Sequence, residues 1–436
     1  MNIYFFIDEL HRDSITASKL KARLNERKHH IYYGSRTTIN FLKYFHSFFD
    51  VIIIPRISFL MQHFGDSWLI WKQKIVTLST ESIGIIAEDS HLCAKTILEK
   101  EYFEGKKKYA NRIDLFALWG FDQLKAVKKY APELKKKFFV IGHPRYDSFN
   151  LENYKKTNKK KVIGIITRAP AINDYYGRSI IDFFSLDLDG VKYEYFNKKK
   201  KRGLIYKRNN LLQSITLQTI DIQNTIKIIQ MLHKKNFEII IRQHPKEKDG
   251  QWKKILTKIS NYIQIHDKKL PIHDFLSKID YLIGPPSTSF YEAFMFKVEP
   301  ISICGLDKKR KLFVAKLAED NNRLMTEIFK PKSIEEIFYH IKKKKMFKIN
   351  DNVKSVLKNE LNYPNCINSL ETLVLKIELL ANNSKKKFYF SSIYRFYCEI
   401  YFLLWNLRNY FINRKIHSAY FPLNFRTINF IESINR

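Results

Sequence analysis

FEIIIRQHPKE, residues 237–247, and IDYLIGPPSTSFYEAF, residues 279–294, are the two stretches on which the fold turns. Each opens with apolar, mostly branched residues over the length of a buried strand and then breaks into polar residues and proline. In the first, Pro245 halts the strand and leaves Arg242, Gln243 and His244 at its carboxyl end. In the second, Gly284-Pro285-Pro286 stops the strand, Ser287-Thr288-Ser289 follows, and a helical pattern runs on from Phe290. Ser289 and Glu292 have the spacing of a capping box, which predicts a helix starting at Ser289. Strand, turn and helix in this order make βα units of a parallel sheet, where ligands collect at the carboxyl ends of strands.

The same alternation extends outward over most of the chain. Strand-like runs fall at Ile3–Ile7, His30–Tyr33, Val51–Ile54, Ile75–Leu78, Leu115–Trp119 and Phe138–Ile141. Helical patterns over Ser14–Glu26, near Thr38–Phe48 and over Phe121–Lys137 separate several of them. The polar stretch NLENYKKTNKKK, residues 150–161, has no periodicity and reads as a linker, placed at 151–161. A second series then begins with Val162–Thr167 and continues through Phe237–Arg242, Tyr262–His266, Tyr281–Gly284 and Pro300–Cys304, with a long helix around Leu212–Lys235. The expectation is α/β: two Rossmann-like lobes, 1–150 and 162–380, with a cleft between them. Residues 184–210 break the pattern and read as a hairpin or a mobile insertion.

Composition bounds the class. A chain of 436 residues exceeds one ordinary core of ~150 residues. At 45% hydrophobic residues it has ample material for burial. Cys93, Cys304, Cys366 and Cys398 are far apart, as befits buried thiols in a reducing compartment rather than a disulfide framework. The opening MNIYFFIDELHRD lacks the basic and apolar regions of a secretory signal, and no stretch reaches the ~20 apolar residues of a membrane span. The expected location is therefore the cytoplasm. A net charge of +34 favours polyanionic partners, although the scattered lysine runs are ordinary solvated surface.

From residue 381 the chain reads as a helical, basic and aromatic tail. KKKFYFSSIYRFYCEIYFLLWNLRNYFINRK, residues 385–415, carries Arg395, Arg408, Arg414 and Lys415 among aromatic residues. Two readings stand side by side: an interfacial helix on an anionic membrane, through residues 385–436, or a helix packed back across the first lobe. Arg395 and Glu399 argue against a spanning helix. The membrane reading places the protein peripherally on the inner face of the cytoplasmic membrane.

The chemistry begins with His244, which at a strand's carboxyl end can donate to a phosphate or protonate a leaving phosphate oxygen. The hydroxyls and amides of Ser287, Thr288 and Ser289 form a second phosphate-binding device. Glu292 either holds a ribose hydroxyl or only caps its helix. The loop Thr167-Arg168-Ala169-Pro170 opens at the end of the second series' first strand. There Arg168 either meets a phosphate or a carboxylate, or is plain surface.

With both motifs in hand, the second lobe resembles bacterial surface-polysaccharide GT-B glycosyltransferases of the sialyltransferase and Kdo-transferase types. That resemblance implies a GT-B fold and a CMP-activated sugar donor held by His244, Pro245, Ser287, Thr288 and Ser289. It implies no cofactor and no metal. It further implies a glycan or lipid-linked acceptor. PIHDFLSKIDYLIG, residues 271–284, is similar to the segment preceding the Ser/Thr loop in those proteins. FFVIGHPRYDSF, residues 138–149, resembles the element closing their first lobe. There Arg145 and Asp147 are expected to pair and fix the interlobe crossing; alternatively Arg145 reaches a substrate carboxylate. The same families place a catalytic acid after a first-lobe strand, which here points to Glu81, as base or nucleophile. Ser82 departs from the doubled acidic pattern of those families, so Glu88, Asp89 and Asp8 stand as rivals.

Three other classes share some of these features. A CDP-glycerol-type glycerophosphotransferase shares the architecture, as does a sugar-nucleotide epimerase. A nucleic-acid-binding protein fits the charge, but the chain lacks zinc-ligand spacing, a helix-turn-helix signature and an RNP-like strand, so no nucleic acid is expected. P-loop and G-x-G-x-x-G motifs are absent from the sequence.

Overall fold

In the computed structural model the described residues are 1–78, 108–148, 161–181, 201–307 and 323–381, together with 394, 396, 397 and 400. Short gaps fall at 8–9, 35–38, 55–59, 61–62, 175–176, 178, 269 and 344–346. The chain divides into two compact units: residues 1–85, 91–149 and 355–436 in the first, and 86–90 with 150–354 in the second.

The first unit opens β1 (Asn2–Phe6), α1 (Leu10–Glu26), β2 (His30–Gly34), α2 (Asn40–Phe45), β3 (Val51–Ile54), β4 (Lys74–Leu78), β5 (Leu115–Leu118), α3 (Phe121–Tyr130) and β6 (Phe138–Val140). These strands form one six-stranded sheet in the order β2-β1-β3-β4-β5-β6, every pair parallel. Because both faces of a parallel sheet are covered, its strands read as continuous apolar runs rather than alternating ones. One face is strongly aromatic, with Tyr4, Tyr32, Phe41, Phe49, Trp68 and Phe138 in a common core.

The second unit contains β7 (Val162–Ile166), α4 (Lys201–Lys234), β8 (Glu238–Arg242), α5 (Gln251–Leu256), β9 (Gln264–His266), α6 (Ile272–Leu276), β10 (Tyr281–Gly284), α7 (Ser289–Met295), β11 (Glu299–Ser302) and α8 (Ile334–Lys343). Its sheet order is β11-β10-β7-β8-β9, again all parallel. Counted within the unit this is the Rossmann order 3-2-1-4-5, with the switch of direction between β7 and β10. Its core is aliphatic: Ile163, Ile165, Ile229, Ile239, Ile241 and Ile283 pack with Leu232 and Trp252. The two Rossmann-like parallel α/β sheets expected from the sequence are the ones the protein has.

Two boundaries differ from those expected. Helix α4 already runs from Lys201, so residues 201–210 are helical and not a hairpin or a mobile insertion. Gly203 is the one residue of that run with low helix propensity. The chain also leaves the second unit near Ser355 rather than at 380. Helices α9 (Asp351–Leu361) and α10 (Ser369–Leu380) follow α8. Leu370, Leu373, Val374 and Ile377 of α10 share a core with Ile3, Phe5, Leu24 and Ile53 of the first unit. Each such side chain contributes roughly 1.5–3 kcal/mol when fully buried, so the apolar stripe outweighs chain order in deciding where α10 goes. Alongside it Arg27 pairs with Glu371 and, at 2.8 Å, with Glu378, while His29 meets Glu378 at 2.9 Å.

The beginning of the tail also packs on the first unit. Tyr394 is fully buried, its hydroxyl donates to the Tyr33 carbonyl at 2.5 Å, and its ring stands edge-on to Phe41 at 4.7 Å. Tyr397 contacts Phe41 at 4.9 Å. Of the two tail readings, packing holds for these positions; residues 401–436 lie outside the described residues, as does the linker 151–160. No helix among the described residues is long and apolar enough to cross a membrane.

Candidate functional site

The carboxyl ends of β7, β8 and β10 bring the second-unit candidates together. The sequence suggests that the His-Pro and Ser-Thr-Ser motifs sit on neighbouring strand ends. Instead β7 lies between β8 and β10, because the Rossmann crossover inserts the unit's first strand there. The two motifs are thus two strand spacings apart, about 10 Å, and the loop after β7 is the centre of the site.

That loop is bonded to both sides. Toward β10, Arg168 Nη1 donates to the Pro286 carbonyl at 3.0 Å. Toward β8, the Thr167 hydroxyl accepts the His244 amide at 3.2 Å. Gly284 sits where β10 comes closest to β7: a Cβ there would lie 2.3 Å from Ile166 Cγ1 and 2.8 Å from the Ile166 carbonyl oxygen. Backbone cannot move aside cheaply, so glycine is required at this junction.

His244 is half-buried. Loss of hydration, with Arg168, Lys246 and Lys268 nearby, pushes its imidazole down to about 3, so the ring is neutral at physiological pH. Its Nδ1 accepts the Lys246 amide at 3.1 Å. In a neutral ring with Nδ1 accepting, the proton sits on Nε2. His244 thus offers a directed N–H donor amid three cations, a combination suited to an anionic oxygen.

Helix α7 begins at Ser289 as expected, but its cap differs. The Ser289 amide donates to Ser287 Oγ at 3.2 Å, and the N-cap residue Thr288 makes no side-chain cap bond. Glu292 is not the surface partner in a capping box: it is fully buried within α7. With seven residues, α7 has only a short dipole, so the hydroxyls of Ser287, Thr288 and Ser289 are the stronger part of the device. Pro245 is exposed beside His244.

Two buried residues missed at the sequence level organise this edge. Glu247 is completely inaccessible. It accepts from Thr167 Oγ1, from the Ala169 amide at 2.7 Å and from Trp252 Nε1 at 2.7 Å. Arg242 spans the carboxyl ends of β8 and β9, donating to His266 Nδ1 at 2.7 Å and to the Leu270 carbonyl at 2.7 Å. The available signal for Glu247 was a carboxylate three residues after a histidine that ends a buried strand.

In the first unit, the expected Arg145–Asp147 pairing gives way to another arrangement. Asp147 Oδ2 receives Arg23 at 2.6 Å and Oδ1 receives the Leu370 amide at 2.9 Å. The pairing joins α1 and α10 within one unit, because the short helical turn over residues 144–148 aims the carboxylate at them. Arg145 is partly exposed, and its backbone amide donates to His143 Nδ1 at 3.1 Å. Glu81 and its rivals Glu88, Asp89 and Asp8 lie outside the described residues.

The segment holding both motifs has relatives. The sequence model of the family "Alpha-2,8-polysialyltransferase (POLYST)" matches residues 198–304, from α4 through β11. The chain is a glycosyltransferase. No curated protein matches its sequence. Similar solved structures include Staphylococcus aureus MnaA with UDP, 9% identical with a TM-score of 0.49 over 88% of this chain and 98% of that one. A UDP-GlcNAc 2-epimerase from Neisseria meningitidis bound to UDP-GlcNAc is 11% identical, with a TM-score of 0.47 over 88% and 100% of the chains. The wall teichoic acid polymerase TagF is 10% identical, with a TM-score of 0.43 over 88% and 90%.

Proposed function

We propose that this transferase moves an acidic sugar from a CMP-activated donor onto a surface glycan or lipid-linked acceptor. One observation carries the reading: the segment matching the polysialyltransferase model includes both His244-Pro245 and the Ser287-Thr288-Ser289 loop. In this reading the donor phosphate lies between the hydroxyl loop and His244, with Arg168 beside it. The bond from the anomeric carbon to the phosphate oxygen breaks as the acceptor oxygen bonds to that carbon. CMP leaves with its charge met by the His244 N–H and the surrounding cations. A phosphate dianion nearby also raises the imidazole pKa, which favours proton donation to the leaving group. Glu81 is proposed to take the acceptor proton as base; in a retaining variant it attacks the anomeric carbon first. No cofactor or metal enters this scheme.

The membrane part of the reading concerns residues 385–436. Phe396 and Ile400 are exposed beside the buried Tyr394 and the half-buried Tyr397, and the sequence beyond them is rich in aromatic and basic residues. Such a surface suits an anionic bilayer carrying a lipid-linked acceptor.

The test is a transfer assay offering CMP-, CDP- and UDP-activated donors. Turnover with a CMP-linked acidic sugar alone is expected, and His244→Ala should lower it at least ~100-fold while the protein stays folded. Turnover with CDP-glycerol alone would replace this reading with glycerophosphate transfer. Unchanged turnover in His244→Ala would remove His244 from the reaction.

A further inference from the structure

A carboxylate with no solvent access is stable only if its oxygens are filled by hydrogen bonds. Glu247 meets that condition through the loop after β7 and helix α5. Thr167 Oγ1 lies 2.9 Å from each of its oxygens, the Ala169 amide 2.7 Å away and Trp252 Nε1 2.7 Å away. The carboxylate can only accept, so the Thr167 hydroxyl proton points at Glu247 and its lone pairs face outward. One of them receives the His244 amide at 3.2 Å. The Glu247 amide in turn donates to the His244 carbonyl at 2.9 Å. His244 is therefore held on both sides of its backbone by one residue, directly through its carbonyl and through Thr167 at its amide. Lys268 anchors the far side, donating to the Glu247 carbonyl and pairing with Asp249 at 2.9 Å.

From this geometry we infer that Glu247 is the positioning residue of the donor site, setting the height of His244 above the sheet through the Thr167 hydroxyl. The inference rests on the proposed role of His244 in binding the donor nucleotide. Burial raises the Glu247 pKa, while the Ala169, Trp252 and Thr167 bonds oppose that rise; a carboxylate held this way is a fixed structural acceptor. A carboxamide in its place would turn an N–H against the Trp252 indole N–H or the Ala169 amide, two donors facing each other.

The experiment compares Thr167→Val with Thr167→Ser in the full chain, titrating CMP calorimetrically and recording the melting midpoint. Valine keeps the shape and removes the hydroxyl, orphaning the His244 amide; serine keeps the hydroxyl. CMP affinity should fall about tenfold in Thr167→Val and stay within about twofold of wild type in Thr167→Ser. Glu247→Gln should weaken CMP similarly. The double variant Glu247→Gln/Trp252→Phe should recover part of the loss, because it removes the opposing indole N–H. That recovery decides the matter if Thr167→Val fails to fold. Wild-type CMP affinity in Thr167→Val, or equal losses for valine and serine, would overturn the inference. Folded wild-type protein that binds no CMP would overturn the His244 reading and this inference with it. If His244→Ala loses CMP while Thr167→Val does not, the positioning role alone is overturned.

Discussion

Asp147 in the first unit and Glu247 in the second are buried carboxylates near the carboxyl edge of a parallel sheet, and the two are used differently. Both have pKa values raised by burial, and both accept a backbone amide, from Leu370 and Ala169 respectively. Asp147 joins two helices, α1 through Arg23 and α10 through its amide, and so fastens the returning end of the chain. Glu247 joins the ends of two strands and supports the histidine between them. The same desolvated acceptor is structural where its donors come from packed helices. In the second unit its donors come instead from the loop after β7 and from α5, at the edge proposed to hold the donor.

If that contrast holds, the largest effect should come from separating stability from binding. Asp147→Ala orphans the Leu370 amide and removes the nearer of two carboxylates on Arg23, leaving Glu371 at 3.3 Å. It should lower the first unit's stability by roughly 3 kcal/mol in denaturant titration, with CMP affinity of the folded protein unchanged. A lost CMP affinity without lost stability would erase the distinction. Leu373→Ala should cost a similar ~2–5 kcal/mol through the cavity left under α10, again without touching CMP.

The second unit should respond to acid. His244 and His266 are pushed from near 6.5 down to about 3 and about 4, by burial and by neighbouring cations. Below pH 6.5 the unfolded chain takes up protons on these rings while the native state does not, so stability falls as pH drops from about 6.5 toward 4. A variant carrying glutamine at both positions should show a flatter slope across that window; an unchanged slope would mean that other groups carry it. Smallest of all, Arg27→Ala should cost under ~1 kcal/mol, since its partners Glu371 and Glu378 are themselves substantially exposed. A larger loss would move the fastening of α10 from its apolar stripe to its ion pairs.

Strand runs such as FEIIIR and DYLIG made the parallel sheets legible, because residues buried on both faces leave an unbroken apolar signature. His244 and the Ser287–Ser289 loop were legible for the same reason, standing where such runs stop. Strand order was not: that β7 separates β8 from β10 follows from long crossovers, and no local pattern records it. Nor was the destination of α10, since an apolar stripe says that a helix is covered but not by which sheet. Glu247 looked like one more charge in HPKEKD, and only the convergence of Thr167, Ala169 and Trp252 marks it as buried. Asp147 was paired in sequence with its neighbour Arg145, whereas the chain supplies Arg23 from far upstream.

The central claim is that the donor phosphate binds at the carboxyl edge of the second sheet, over the loop after β7. A crystal structure of the protein soaked with CMP tests it most directly. Phosphate density is expected within hydrogen-bond distance of His244 Nε2 and of at least one hydroxyl among Ser287, Thr288 and Ser289. CMP bound at another place in the protein, with this edge unchanged, would contradict it.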